Sequence, residues 1–242
     1  MPLPENIENL KRQSAKELIY RAICDWIVTG VLQPGEKLLD SDVAKRFNVS
    51  RTPVREAFQI LEAQKLIQVV PGRFTIVTEI DRNDIENCYR PLAEIQGLAI
   101  FLACEKLTPE IFSELDQIQD DFTTACAENR SGDAIACDNR FHEILMEASG
   151  NEYISDFSNM LLLHIQRIKY RYFHWDGMRS ISVRHHQKIL TALKQKDASL
   201  AQDLMREHWL SVMNLCLSSV VDSPKTTEPA PSGVAPSRPS PA

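Results

Sequence analysis

The chain has 242 residues, enough for two domains of ordinary size, and 43% of them are hydrophobic, enough for a real core. No apolar run approaches the roughly 20 residues of a membrane span, the N-terminus shows no apolar leader, and six cysteines without a CxxC favour free thiols in a reducing compartment. A cytoplasmic protein with no membrane partner is therefore expected. The net charge of −6 argues against a general polyanion binder, but it is unevenly spread: residues 1–78 carry +2 and residues 79–222 carry −9.

The elements follow in chain order. In SAKELIYRAICDWIVTG, Leu18, Ala22, Ile23, Trp26 and Ile27 recur at helical spacing, with Gly30 as a stop. Pro34-Gly35 predicts a turn. In LLDSDVAKRFNVS, Asp40 or Ser41 is placed to cap a short helix burying Val43, Ala44 and Phe47, and Asn48-Val49 makes a tight turn. Ser50 is placed to cap the next helix, and Pro53 is tolerated in its first turn, where N–H groups have no intrahelical partner. Val54, Ala57, Phe58 and Leu61 form its buried stripe. LIQVV and FTIVT predict two strands around Pro71-Gly72-Arg73.

A helix, a helix-turn-helix and a two-stranded wing make a winged helix. With the apolar stripe buried, Ser50, Arg51, Thr52 and Arg55 lie on the exposed, early face of the second helix of the turn. That end is what a helix-turn-helix inserts into the major groove. Arginine suits guanine edges or phosphate, and hydroxyls suit phosphate.

From residue 79 to 222 the pattern is helical throughout, with predicted helices over 82–106, 109–129, 132–149, 151–174, 180–195 and 198–220. Six or seven helices in such a length predict an all-α bundle. The stretch 223–242 is rich in proline, serine and alanine and predicts a disordered tail, and residues 1–13 an N-terminal arm.

Three histidines and an aspartate fall on apolar faces of this bundle. Asp138 and His142 are four apart and share a face with Leu145 and Ser149. His186 lies in line with Ile189, Leu190 and Leu193, while His185 is turned about 100° away. His208 lines up with Ala201, Leu204, Val212 and Leu215. Each alone reads as a hydrogen-bonded core residue. Four converging would be costly to bury unless hydrogen-bonded or metal-bound, and imidazoles with a carboxylate suit Zn, Ni, Mn or Fe.

The run PGEKLLDSDVAKRFNVSRTPVREAFQILEAQKLI resembles the GntR superfamily of bacterial transcription regulators, and SRTPVREA is similar to that family's recognition-helix motif. The resemblance covers residues 14–78. It implies that Ser50, Arg51, Thr52 and Arg55 contact double-stranded operator DNA and that Gly72-Arg73 form a wing tip reaching the minor groove. The family's usual glycine before "LI" is Lys65 here, the wing's second glycine is Phe74, and the arginine some relatives place at the start of the first helix of the turn is replaced by Asp40-Ser41-Asp42.

Residues 79–222 resemble the FCD ligand-binding domain of the FadR-like branch. The family's Asp-x3-His, a histidine opening an Ile-Leu-x-Ala helix and a late histidine fall on Asp138, His142, His186 and His208. The resemblance implies a divalent metal, Zn or Ni first and Mn or Fe second, that helps hold a small organic-acid effector. Arg90 and Glu94 match an Arg-x3-Glu pattern, which makes Arg90 a candidate clamp for the acid, since a guanidinium pairs bidentately with a carboxylate. The other reading of Arg90 is an intrahelical pair with Glu94. Pro91 predicts either a helix start or a differently aimed Arg90. His164 and His174 match no ligand position.

The expected protein is thus a mostly α, dimeric, ligand-responsive DNA-binding repressor of the cytoplasm, associated with the nucleoid, and not an enzyme. The sequence leaves two alternatives: a metal-dependent hydrolase-like enzyme with an appended DNA-binding domain, and a regulator whose bundle serves only to dimerise.

Overall fold

A computed structural model describes residues 14–70, 74–172 and 176–222. The expected arm at 1–13, wing tip Gly72-Arg73, His174 and the tail at 223–242 lie outside the described residues.

The N-terminal unit runs α1 (Ala15–Val28), β1 (Lys37–Leu38), α2 (Asp40–Phe47), α3 (Arg51–Ala63), β2 (Ile67–Val70) and β3 (Phe74–Val77). Ser14 caps α1 through Glu17 N–H, and Gly30 after its end takes φ +76°, the left-handed backbone that glycine adopts without penalty. The buried face of α1 is Ile19, Ile23, Ile27 and Val28; Leu18, expected in that stripe, is exposed. The face of α3 is as expected, with Val54, Ala57, Phe58 and Leu61 buried in one cluster with Val43 and Ala44 of α2, while Phe47, expected to be buried, is half-buried against it. Asn48 makes the turn between them with a left-handed backbone at φ 53°, a conformation asparagine tolerates.

Three details differ from the sequence reading. The sheet has three strands, because Lys37-Leu38 pairs antiparallel with β3 on the side away from β2. Two residues are too few to show an alternating pattern, which is why this strand left no periodic signal. Asp40 and Ser41 lie inside the first turn of α2 rather than capping it. The N-cap position of α3 is Ser50, but its hydroxyl makes no capping bond.

The C-terminal unit comprises α4 (Arg82–Ala103) with a 3-10 turn (Cys104–Lys106), α5 (Pro109–Ala127), α6 (Ser131–Ser149), α7 (Glu152–Tyr172), α8 (Asp176–Lys194) and α9 (Ala198–Asp222). A capping box, in which Asp81 and Asp84 exchange side-chain-to-backbone bonds, starts α4. Thr108 caps α5 ahead of Pro109, and Gly150 ends α6 with a left-handed backbone. One core joins all six helices, from Tyr89 and Leu92 on α4 to Trp209 and Val212 on α9. The helix α4 runs unbroken through Pro91 rather than restarting there. The amide hydrogen that proline lacks falls on an exposed face, where water can serve the freed carbonyl. The six cysteines are all free, and no helix among the described residues is long and apolar enough to cross a membrane.

The two units meet through α1 and α7 and through a buried strap from α7 to the base of the wing. Arg167 of α7, only 5% exposed, donates to the backbone carbonyl of Thr78 at 2.6 Å and to its hydroxyl at 3.1 Å. Thr78 directly follows β3, so α7 grips the base of the wing.

Candidate DNA face and metal centre

On α3, Ser50, Arg51, Thr52 and Arg55 are all exposed, opposite the buried stripe. The carboxylate of Asp40 sits beside them, 2.8 Å from Arg55 Nε and 4.0 Å from Arg51. Where some relatives place an arginine, Asp40 is a neighbour that holds Arg55 at the N-terminal end of α3. Both partners remain accessible, so the pair is weak and open to exchange with a phosphate. A groove of about 470 Å³ between Arg55, Gln59 and the wing residues Val69, Phe74 and Thr75 continues this face.

Within the bundle, Asp138 and His142 of α6, His186 of α8 and His208 of α9 converge. One ligand-type atom from each lies within 4.8 Å of all the others, and all four residues are buried. Both ring nitrogens of His142 and of His186, and Nδ1 of His208, lack a hydrogen-bond partner among the described residues. His186 Nε2 stands 3.5 Å from Asp138 Oδ1, at the outer limit of a hydrogen bond. His186 stacks on Phe141 with ring centres 4.0 Å apart and planes 8° apart, which fixes the ring. Burial pushes the imidazole of His186 down to about 4 despite the opposing pull of Asp138, and burial likewise holds His142 and His208 well below 6.5. The rings are therefore neutral at neutral pH, the form that ligates metal. Orphaned neutral nitrogens around a carboxylate are unfavourable as a plain core and fit a divalent ion well. His185 stays outside this set: it packs near Glu207, at 3.9 Å.

Arg90 and Glu94 are placed elsewhere. Arg90 is exposed and pairs with Glu86 at 3.2 Å, while Glu94 is exposed and pairs with Arg206 at 2.8 Å. Neither expected partnership forms, with each other or with the buried cluster. On α4 the inward positions are taken by Tyr89, Leu92 and Ala93, so residue 90 must point out.

The residue that does meet the cluster is Lys169 of α7, unremarked in the sequence. Its ammonium bonds Asp138 Oδ2, lies 3.3 Å from Asn139 Oδ1 and sits 5.1 Å from the centre of the Trp209 ring. A signal for it existed: Lys169 falls four residues after Ile165 and next to Ile168, on the apolar face of α7. Beside it a cavity of about 230 Å³ opens between α6 and α7, lined by His142, Lys169, the amides of Asn139, Asn159 and Gln166, and the exposed carboxylates of Glu143 and Glu147, which pair with Arg140.

A winged helix with exposed arginines on its reading helix, strapped to a helical bundle with a polar centre, defines a DNA-binding regulator with a second, sensor-like domain. The comparisons with known proteins agree. Residues 15–77 match the family of bacterial regulatory proteins, gntR family, and residues 88–211 match the FCD domain. The chain belongs to the GntR family of DNA-binding transcription regulators, in the group that carries an FCD domain. It is 28% identical over 196 residues to the HTH-type transcriptional repressor RspR of Escherichia coli K12, covering 81% of this chain and 86% of that one. It is 26% identical over 194 residues to the HTH-type transcriptional regulator YdhC of Bacillus subtilis, covering 78% and 85%. Among solved structures, E. coli McbR/YncC superposes with a TM-score of 0.73 at 20% identity, over 86% of this chain and 99% of that one. A GntR regulator from Rhodococcus sp. RHA1 gives 0.70 at 19% identity, over 84% and 98%. These relatives and domains indicate a transcription regulator rather than an enzyme.

Proposed function

We propose that this regulator is a dimeric repressor whose bundle senses a small carboxylate through a divalent ion held by Asp138, His142, His186 and His208. The observation that carries the reading is the set of unpartnered, buried imidazole nitrogens around Asp138. A bound divalent ion would supply Lewis-acid attraction for a carboxylate entering the neighbouring cavity. The three imidazoles, held neutral by burial, and Asp138 hold the ion. Asn139, Asn159 and Gln166 supply amide groups that orient the acid. Ser50, Arg51, Thr52, Arg55, Gly72 and Arg73 contact the operator. The name of RspR, a repressor, supports the sign of regulation.

Dimerisation is supported by an apolar surface. The helices α4 and α7 pack together around Ala99 and Ile154, and flanking this seam Leu98, Phe101, Tyr153, Phe157 and Met160 stay exposed. An exposed apolar stripe of this kind marks an interaction site, and one recognition helix alone reads too few base pairs for a unique operator. The acid alters DNA binding through α7, which carries both Lys169 at the centre and Arg167 on Thr78. By linkage, operator DNA changes the affinity for the acid by the same factor.

Elemental analysis of protein purified from metal-replete cells tests the centre. About one divalent transition ion per chain is expected, removable by a chelator. A metal content no higher in wild type than in His186→Ala, with cells grown on several metals, overturns the reading in favour of a hydrogen-bonded core.

A further inference from the structure

Lys169 is the one cation bonded directly to Asp138 among the described residues, and nothing in a metal centre requires it. It is 3% exposed and Asp138 1% exposed, so each is the other's charge partner inside the bundle. Asp138 Oδ1 faces His186 and Oδ2 faces the ammonium, so the carboxylate is shared between the histidine set and the lysine. A divalent ion within that set would stand a few ångströms from the ammonium. Like charges so close in a buried site repel strongly, so a divalent ion on Asp138 weakens the hold of that carboxylate on the ammonium. The lysine stem is flexible, and Lys169 already lines the α6–α7 cavity together with His142, where Asn139, Asn159 and Gln166 offer polar partners.

We propose that Lys169 is a built-in counter-ion that competes with the divalent ion for Asp138 and, once displaced into the α6–α7 cavity, becomes the anchor for the carboxylate effector. The inference rests on the metal reading above and gives it an order: the metal frees the lysine, and the freed lysine binds the acid. While Lys169 is held by Asp138 it has little charge to offer an anion. Metal and acid therefore bind with positive cooperativity, and the protein answers to the acid only when loaded with metal. The class of ligand follows from the lining: Glu143 and Glu147 also border the cavity but are exposed and paired to Arg140, which leaves one ammonium and three amides to match a small anion with further hydrogen-bonding groups, such as a hydroxy acid.

The test uses the full-length protein with Zn²⁺ alone, then with a panel of small mono-, di- and hydroxycarboxylates. Lys169→Met and Lys169→Gln remove the charge in two shapes, so that if one fails to fold the other still reports. Competition with a chromophoric chelator should show Zn²⁺ bound at least tenfold more tightly by either variant than by wild type. The zinc-loaded variants should bind the acids selected by zinc-loaded wild type at least tenfold more weakly. If wild type binds Zn²⁺ and neither variant binds it more tightly, the competition is overturned while the metal centre stands. If wild type and variants alike bind none, the metal reading has failed and this inference with it. If no acid binds zinc-loaded wild type, or the variants bind the same acids as well, the anchor role is overturned.

Discussion

Replacing His186 with alanine while leaving His185 intact separates a metal centre from a merely crowded core. An ion present at about 100 times its dissociation constant stabilises the folded state by about 2.7 kcal/mol through mass action. For a unit of this size each kcal/mol moves the melting temperature by about 3–5 °C, so chelation should lower wild type by about 10 °C. His186→Ala also loses the stack on Phe141 at 4.0 Å and opens a cavity, which costs about 2 kcal/mol or more without any metal. The informative quantity is therefore the difference between zinc-loaded and chelated melting temperatures within each protein, not the melting temperature itself. That difference should vanish in His186→Ala and persist in His185→Ala, whose ring lies toward Glu207. Thermal scans by circular dichroism at pH 7.5 give both numbers. An equal metal-dependent shift in wild type and His186→Ala would sink the assignment, and equal losses in both variants would refute the exclusion of His185 from the site.

Other expectations are independent of that one. Arg55→Ala should weaken specific operator binding by about 1–3 kcal/mol in anisotropy titrations at fixed salt, with helicity unchanged, because the side chain is 66% exposed; unaltered binding to both specific and random duplexes would make Arg55 a bystander. Wild type should sediment at about twice 27.5 kDa, and Tyr153→Lys with Phe157→Glu should bring it to the single-chain mass; a monomeric wild type would refute the interface. Arg167→Ala should leave acid binding in place but shrink its effect on operator affinity, since it frees α7 from Thr78; an undiminished effect, read in paired DNA titrations, removes Arg167 from the coupling. Chelated protein should lose stability as pH falls. His186 titrates near 4 when folded and near 6.5 when unfolded, so the unfolded chain takes up its proton first. The full stability is present above 6.5 and is lost between 6.5 and 4, about 2 kcal/mol of it by pH 5 for His186 alone. Urea midpoints that are flat from pH 7.5 to 5 would contradict this.

Most of the architecture was legible along the chain because its signals are local. The stripe Val54, Ala57, Phe58, Leu61 fixes the buried face of α3, and therefore which side presents Arg51 and Arg55; helix geometry alone carries that inference. The same holds for Asp138 with His142, one turn apart. Spacing could put each histidine on an inward face but could not bring three helices to one point. That convergence, within 4.8 Å, comes from how α6, α8 and α9 pack. Packing also decided where the sequence pattern misled. Arg90 sits at a motif position yet faces solvent, because Tyr89, Leu92 and Ala93 claim the inner side of α4. Periodicity puts Lys169 on the apolar face of α7 but gives neither it nor Arg167 a partner, and a basic side chain on a helix is ordinarily solvated. Burial beside Asp138 and Thr78 is a property of neighbours far away in sequence, 31 and 89 residues distant. Periodicity reports which way a side chain points; only the tertiary fold decides what it meets there, and for a charge that partner determines whether burial is tolerable at all.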